Sequence, residues 1–322
     1  SQKALILEKP QAPLIVNSVP IPKPGPGEVL VKIMACALNP VDLGVQAQNI
    51  IPNVVFPTIL GLDIAGDVES LGEGVERIAV GDRVFFPGEY EKEYAGLQQY
   101  ALARVDFLGK IPSHMSYAEA SSIPVTFATA AIPLLAANPV GAGLNSTFDS
   151  NVSFSDEPAV VLGGGTSVGQ FAIQIYKYLN FNPIITYASS KHTSYLESLG
   201  ATHVIDRASV PLSALPDTIQ AITKLTPIKN IYVATVFTPE ATETGYRILA
   251  HGGQMATAHP APQVPEDAGA TARKVYGVFA SPRIEPNLEF GLEMWKQLPR
   301  LVEQGIVKPN RIELLPGGLA AV

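Results

Sequence analysis

Residues 158–170 read PAVVLGGGTSVGQ: an apolar run, three glycines in a row, a Thr-Ser pair, and one more glycine where a helical pattern begins. A strand that feeds a tight turn and then a helix leaves unpaired N–H groups at the helix N-terminus, where the helix dipole also favours negative charge. This is the form of a dinucleotide-binding turn, usually written G-x-G-x-x-G. The middle glycine is replaced here, giving Gly164-x-Thr166-x-x-Gly169. Gly164 is expected to allow the turn, and Gly169 to let the helix sit close to the sheet. A Cβ at Thr166 takes room where backbone would come nearest a pyrophosphate. The hydroxyls of Thr166 and Ser167 are expected to stand in for part of that approach, beside Val168.

Outward from this turn the pattern continues. Val168, Phe171, Ala172, Ile175 and Leu179 recur at helical spacing and mark the face that packs on a sheet. PIITYA, KHTSYLESLGA, THVID, NIYVATVF and GGQMATA then alternate strand-like and helix-like text to about residue 258. That alternation predicts βαβ units and a parallel sheet, an α/β fold of the doubly wound kind. At the end of the second strand, NAD sites place Asp or Glu on the ribose hydroxyls. The text here is ITYASSKHTSY, with Ser189, Ser190, Lys191 and His192 and no acid. Hydroxyls and an ammonium hold a 2′-phosphate that a carboxylate would repel. Arg207, just past the third strand, adds a guanidinium. Together these residues favour NADPH over NADH, although each taken alone reads as a solvated loop.

The first 110 residues differ. EVLVKIMACAL, IAGDVESLG, DRVFF and QQYALA are short strand-like runs separated by turns such as KPGPGE. They predict a β-rich domain. Ser116, with Glu119 three places on, reads as a helix cap before a run of small apolar residues. Near the other end a helix is expected around LEFGLEMWKQLPRLVEQG.

Composition narrows the classes. The chain has 322 residues, enough for two domains, and a net charge of −7 with no long basic run, which argues against nucleic acid and anionic membranes as partners. A single cysteine, Cys36, builds neither a disulfide framework nor a thiolate zinc cluster, and reads as a small core residue. No signal peptide is visible in SQKALILEKPQAP, and no run of about 18 uninterrupted apolar residues suggests a membrane span. A cytoplasmic location is the expectation.

The order of PGPGEVLVKIMACALNPVD, PTILGLDIAGDVESLGEGVERIAVGDRV, QQYALARVDFLGKIP, PVTFATAAIPLL, VVLGGGTSVGQFAIQIYK and LGATHVID resembles the medium-chain dehydrogenase/reductase superfamily over nearly the whole chain. Within it the sequence looks like the zinc-independent quinone-oxidoreductase and fungal trans-enoyl-reductase branch. The resemblance implies a GroES-like substrate domain of residues 1–125 and 274–322, around a Rossmann domain of residues 126–273. It also implies chain beyond LLPGGLA: relatives continue with a helix and a closing strand.

Zinc members of the superfamily use a Cys in the segment reading ALNPVD here, and Gly-His-Glu where this chain has GLD. Asn39 and Leu62-Asp63 stand at those places. A catalytic zinc takes about three protein ligands, and the five histidines show no clustered spacing, so no metal is expected. Without a Lewis acid, an acceptor that spreads the incoming negative charge is the natural substrate, which points to α,β-unsaturated carbonyls and quinones.

In the resembled branch Asn39 lies near the nicotinamide ribose, and Thr126 or Thr129 near the nicotinamide ring or the substrate carbonyl. Val41, Asp42 and Phe237 are further candidates for lining that cleft, and Val278, Phe279 and Ala280 for walling the substrate. Simpler readings stand beside these. Asn39 reads also as a turn residue before Pro40, the threonines as bonded back to their own helix, and 278–280 as core. The proton donor is left open among water, the ribose hydroxyl and a tyrosine.

The leading expectation is an NADPH-dependent enoyl reductase acting on an enone or enoyl thioester in fungal secondary metabolism, with a polyketide synthase carrier protein as a possible partner and a monomer or homodimer as the working form. A quinone reductase is the near alternative. A non-catalytic NADPH-binding protein of the same superfamily is the alternative from another class.

Overall fold

The computed structural model describes residues 1–236 and 238–322. The chain divides into two compact units: Ser1–Val125, Trp295–Gly305 and Pro309–Val322 form the first, and Thr126–Met294 with Ile306–Lys308 the second. Phe237, a candidate for the cleft lining, lies outside the described residues.

In the first unit the alternating runs become strands. They are β1 (Gln2–Leu7), β2 (Leu14–Val19) and β3 (Glu28–Ala37), then, after helix α1 (Pro40–Gln48), β4 (Thr58–Ile59), β5 (Asp63–Leu71), β6 (Arg83–Pro87), β7 (Tyr100–Arg104) and β8 (Gly109–Lys110). One antiparallel sheet has the order β2-β1-β4 and a second β7-β3-β5-β6-β8. Val29, Val31, Ile64, Val68, Val84 and Phe86 fill the core of the larger sheet. The β3–β5 register shifts twice, between Leu30 and Val31 and between Ile33 and Ala35, and ends with Ala37 opposite Asp63. Such irregularities re-aim side chains at a strand end. Here they leave Asp63 beside the turn into α1.

Two helices follow, α2 (Tyr117–Ala120) and α3 (Pro124–Leu135). Ser116 caps the first as its sequence suggests: its Oγ accepts the Glu119 N–H at 3.2 Å, and Glu119 Oε2 accepts the Ser116 N–H at 2.8 Å. The stretch Tyr117–Leu135 is long and apolar enough to cross a membrane by length and composition, although polar residues interrupt it. Yet 72% of that window is buried inside the fold. Its apolar character serves the core, where Phe127 meets Phe171 edge to face with ring centroids 5.7 Å apart.

The second unit alternates strand and helix: β9 (Ala159–Leu162), α4 (Ser167–Tyr178), β10 (Ile184–Ala188), α5 (Thr193–Leu199), β11 (His203–Asp206), α6 (Leu215–Thr223) and β12 (Asn230–Val233). It continues with α7 (Pro239–Ile248), β13 (Gln254–Thr257), α8 (Ala268–Thr271) and β14 (Lys274–Tyr276), and then α9 (Leu288–Glu303). All pairings are parallel, in the order β11-β10-β9-β12-β13-β14. This is the Rossmann order. Every residue of the central strand β9 is fully buried, as a parallel strand covered on both faces requires.

The expected return to the first domain at residue 274 is corrected. β14 pairs with β13 as the sixth strand of the parallel sheet, and Lys274–Met294 belong to the second unit. Its strand-like text, read as a return to the β-rich domain, completes the nucleotide-type sheet instead.

Candidate functional site

In a doubly wound sheet, ligands bind where the strand order reverses, beyond the carboxyl ends of the strands. That place lies between β9 and β12, and the glycine loop leaves β9 there. The turn itself falls to Gly163, whose φ of +89° only glycine adopts without strain. Gly164, expected to allow the turn, has a different reason: a Cβ there would fall on the Thr186 hydroxyl of β10. Gly169 is pinned by the loop, since its Cβ would strike the Gly163 carbonyl.

Thr166 is the N-cap of α4. Its hydroxyl accepts the Gly169 N–H at 3.0 Å and donates to the Gly163 carbonyl at 2.9 Å. The expectation that this hydroxyl proton replaces close backbone approach to a ligand is therefore corrected, because the turn already uses it. What the loop offers is the rest of the first helical turn. The N–H groups of Ser167 and Val168 have no intrahelical carbonyl to bond, and Gly165, Thr166 and Ser167 are exposed while Val168 is half-buried. A Cβ on Gly165 would meet only His192 Cδ2 within 4 Å, at 3.5 Å. Open ground thus lies between the loop and the end of β10, and a pyrophosphate fits these donors.

At the end of β10, Ser189 and His192 are half-buried and Ser190, Lys191 and Arg207 exposed. Ser190 is not free. Its Oγ donates to Asp206 Oδ2 at 3.0 Å and its N–H to Oδ1 at 3.2 Å. The Ala208 and Ser190 N–H groups hold the Asp206 carboxyl below the usual carboxylate range. Sequence reading missed Asp206 because it sits on the neighbouring strand, β11, and reaches Ser190 only through the parallel pairing of Ala188 with Asp206.

Thr126 and Thr129 are half-buried on α3. Val278 is buried, Ala280 half-buried and Phe279 39% exposed, and all three lie in the second unit.

The first unit carries its own cluster. Asn39 is the N-cap of α1, and its N–H donates to Asp42 Oδ2 at 2.8 Å. Asp42 Oδ1 accepts the Gly61 N–H at 3.1 Å. Val41 is half-buried beside them. The Asn39 side chain donates through Nδ2 to Asp63 Oδ2 at 2.9 Å, and the Val125 N–H donates to Asp63 Oδ1 at 2.6 Å. Asp63 is completely buried. Burial pushes its carboxyl up to about 7, against the pull of the Val125 and Asn39 hydrogen bonds. Burial also raises Asp42 and the Cys36 thiol. Asp63 entered the sequence reading only as a residue in place of a metal ligand. Its partnership with Asn39, 24 positions away, comes from the β3–β5 pairing. Among the described residues no group of three or more His, Cys, Asp or Glu is placed to hold a metal ion.

Comparison with known proteins agrees with this architecture. The alcohol dehydrogenase GroES-like domain family matches residues 25–131, and the zinc-binding dehydrogenase family matches residues 167–281. The trans-enoyl reductase tndF of Aspergillus flavipes is 35% identical over 212 residues, covering 63% of this chain and 59% of that protein. The trans-enoyl reductase tazE of Aspergillus terreus is 35% identical over 212 residues, covering 63% of this chain and 67% of its own length. The matched stretches thus span about three fifths to two thirds of these relatives.

Among solved structures, an alcohol dehydrogenase superfamily protein from Novosphingobium aromaticivorans superposes with a TM-score of 0.79 at 24% identity, over 96% of this chain and 89% of that one. The CurK enoyl reductase gives 0.73 at 20% identity, over 96% and 90%. At these identities the structures speak for the fold alone. With both family matches, the fungal relatives and the Rossmann order in hand, the chain belongs to the medium-chain dehydrogenase/reductase superfamily, in its fungal enoyl-reductase-like branch.

Proposed function

We propose that the protein is an NADPH-dependent reductase that saturates the conjugated C=C bond of an enone or enoyl substrate without a metal. The observation that carries the reading is the Asn39–Asp63 bond of 2.9 Å. At the two places where zinc relatives keep ligands, this chain has an amide and a carboxylate already satisfied by each other. That donor set falls short of the three ligands a catalytic zinc takes. A substrate that delocalises charge by itself needs no strong electrophile. The fungal relatives named trans-enoyl reductases support the enoyl form of this reading.

When bound, reduced nicotinamide supplies the hydride. The chain's own groups bind and orient. The Ser167 and Val168 N–H groups at the start of α4 would hold the pyrophosphate, aided by the Ser167 hydroxyl and the helix dipole. Ser189, Lys191, His192 and Arg207 would hold the 2′-phosphate, the charges of Lys191 and Arg207 offsetting the Asp206 carboxylate that engages Ser190. Asn39 would contact the nicotinamide ribose, and Thr126 or Thr129 the ring or the substrate carbonyl. The substrate is a small enone or an enoyl thioester, the latter delivered free or on a polyketide synthase carrier protein. A cytoplasmic location suits that chemistry.

The test is an NADPH-oxidation screen over enones, enoyl thioesters and quinones, run with NADH in parallel and after dialysis against a chelator. Mass spectrometry of the products distinguishes a saturated C=C bond from a hydroquinone. Turnover that disappears with the chelator and returns with zinc would overturn the metal-free reading. Hydroquinone as the only product would replace the enoyl reading with the quinone one.

A further inference from the structure

Asp206 closes β11 and pairs with Ala188, the last residue of β10. Its two oxygens divide their partners by kind. Oδ1 accepts two backbone N–H groups, those of Ser190 and Ala208, each at 3.2 Å. Oδ2 accepts from two hydroxyls, Ser190 at 3.0 Å and Ser209 at 3.3 Å. All four of these partners are neutral. An ionised carboxylate only accepts hydrogen bonds, so the Ser190 hydroxyl must spend its single proton on Asp206. Ser190 and Lys191 are exposed at the corner proposed for the 2′-phosphate. A phosphate is also an acceptor and needs that same proton. We propose that Asp206 is a selectivity-determining residue that withholds the Ser190 hydroxyl proton from the 2′-phosphate and so limits the preference for NADPH over NADH.

The same contacts explain why an acid is kept there. The two N–H bonds on Oδ1 tie the turn after β10, which carries Lys191 and His192, to the turn after β11, which carries Arg207. The Arg207 N–H adds a bond to the Ala188 carbonyl at 3.0 Å, and the Thr193 hydroxyl donates to the Ser190 carbonyl at 2.8 Å. The corner is thus fixed by strand pairing and by hydrogen bonds from both sides. The Ala208 and Ser190 N–H groups also hold the Asp206 carboxyl below the usual carboxylate range, so it stays an acceptor at neutral pH. An acid at the end of β10 itself would reach the ribose hydroxyls of NAD. The acid here comes from the neighbouring strand and reaches Ser190 instead.

Asp206→Asn separates the two roles. The Ser190 and Ala208 N–H groups still need an acceptor, which holds the amide oxygen at the Oδ1 place. The new NH2 then faces the Ser190 oxygen, which accepts a hydrogen bond instead of giving one. The Ser190 proton is released toward the coenzyme. The substitution also removes a negative charge, which favours NADPH by itself. Repeating it in a Ser190→Ala background subtracts that part, because there the charge is lost but no proton is gained. The inference rests on the reading of the end of β10 as a 2′-phosphate site, and Lys191→Ala tests that reading separately.

Dissociation constants for NADPH and NADH are measured by fluorescence titration of the full chain, with a thermal melt of each variant to check folding. Asp206→Asn is expected to tighten NADPH binding about tenfold and to leave NADH nearly unchanged. Ser190→Ala alone is expected to change either little, since its proton is already spent. In the Ser190→Ala background Asp206→Asn gains less, keeping only the salt-screened part that belongs to the charge. No gain for NADPH, an equal gain for both coenzymes, or the same gain in both backgrounds overturns the proposal. So does a marked loss of NADPH affinity in Ser190→Ala, a result that holds whether or not Asp206→Asn folds. Lys191→Ala weakening both coenzymes equally overturns the 2′-phosphate reading, and the proposal with it. Lys191→Ala weakening NADPH alone, beside an Asp206→Asn that gains nothing, overturns the proposal and leaves the reading standing.

Discussion

The Tyr232 hydroxyl on β12 donates to the Thr129 carbonyl on α3 at 2.9 Å, and the reason lies four residues further along the helix. Pro133 is inside α3 and has no N–H to donate to the carbonyl of the fourth residue before it, Thr129. A strand side chain supplies the missing hydrogen. This bond ties a candidate site residue to the parallel sheet and lets a proline sit in a buried helix.

The first prediction follows from that bond. Tyr232→Phe keeps the ring and removes the donor, and is expected to cost about 1–3 kcal/mol, the range for depriving a buried polar group of its partner. In a Pro133→Ala background the helix regains its own N–H, so the same change costs less. Chemical denaturation of the four proteins measures the coupling. An identical cost in both backgrounds would show that the tyrosine does not substitute for the helical donor.

A second prediction concerns the glycine loop. Thr166→Ala removes the cap on the Gly169 N–H and the bond to the Gly163 carbonyl, at a cost of about 1 kcal/mol typical of a lost N-cap. Thr166→Ser retains the oxygen and is expected to behave like the unmutated chain. Both stability and NADPH affinity should follow this order in parallel denaturation and titration series. If Thr166→Ser lost as much as Thr166→Ala, the γ-methyl would be the important group and the capping role would be wrong.

How far the text alone carried these features depends on whether their causes are local. The strand, glycine turn and amphipathic helix at 158–179 are written in consecutive residues, as is the capping box of Ser116 and Glu119. The parallel sheet follows from alternating runs. β14 did not follow: KVY is three residues long, and no local pattern says which sheet it joins. The Asn39–Asp63 and Ser190–Asp206 pairs were equally hidden, because strand pairing creates them across 24 and 16 positions. The capping role of Thr166 is hidden for a related reason. A hydroxyl in a loop reads as a free donor until the carbonyl that takes its proton is seen.

A third prediction separates the coenzymes. Lys191 is exposed at the end of β10, while the Ser190 hydroxyl is engaged by Asp206. Under the proposed function, Lys191→Ala is expected to raise the apparent KM for NADPH about tenfold, as loss of a charge-assisted hydrogen bond does. Any NADH activity should be left nearly unchanged. Ser190→Ala is expected to do less, since its hydroxyl already has a partner. Steady-state kinetics with both coenzymes provide the check. Equal losses for NADPH and NADH in Lys191→Ala would remove the lysine from the 2′-phosphate site.

The last prediction links Asp63 to stability. Its carboxyl is raised by burial from 3.8 to about 7 in the folded chain, so between those values the folded state binds a proton that the unfolded state has released. Stability then falls as pH rises through this window and levels off above about 7. Asp63→Asn cannot ionise and loses this dependence. The difference in Tm between the variant and the unmutated chain is therefore expected to move in the variant's favour from pH 4 to pH 7, and to stay constant from pH 7 to pH 9, within the pH range set by that shift. Thermal melts across that series measure it. A residue kept only to stabilise the fold would show the opposite trend, with the variant losing ground as the carboxylate forms. A buried charge that costs stability at neutral pH is the kind of strain a functional site retains.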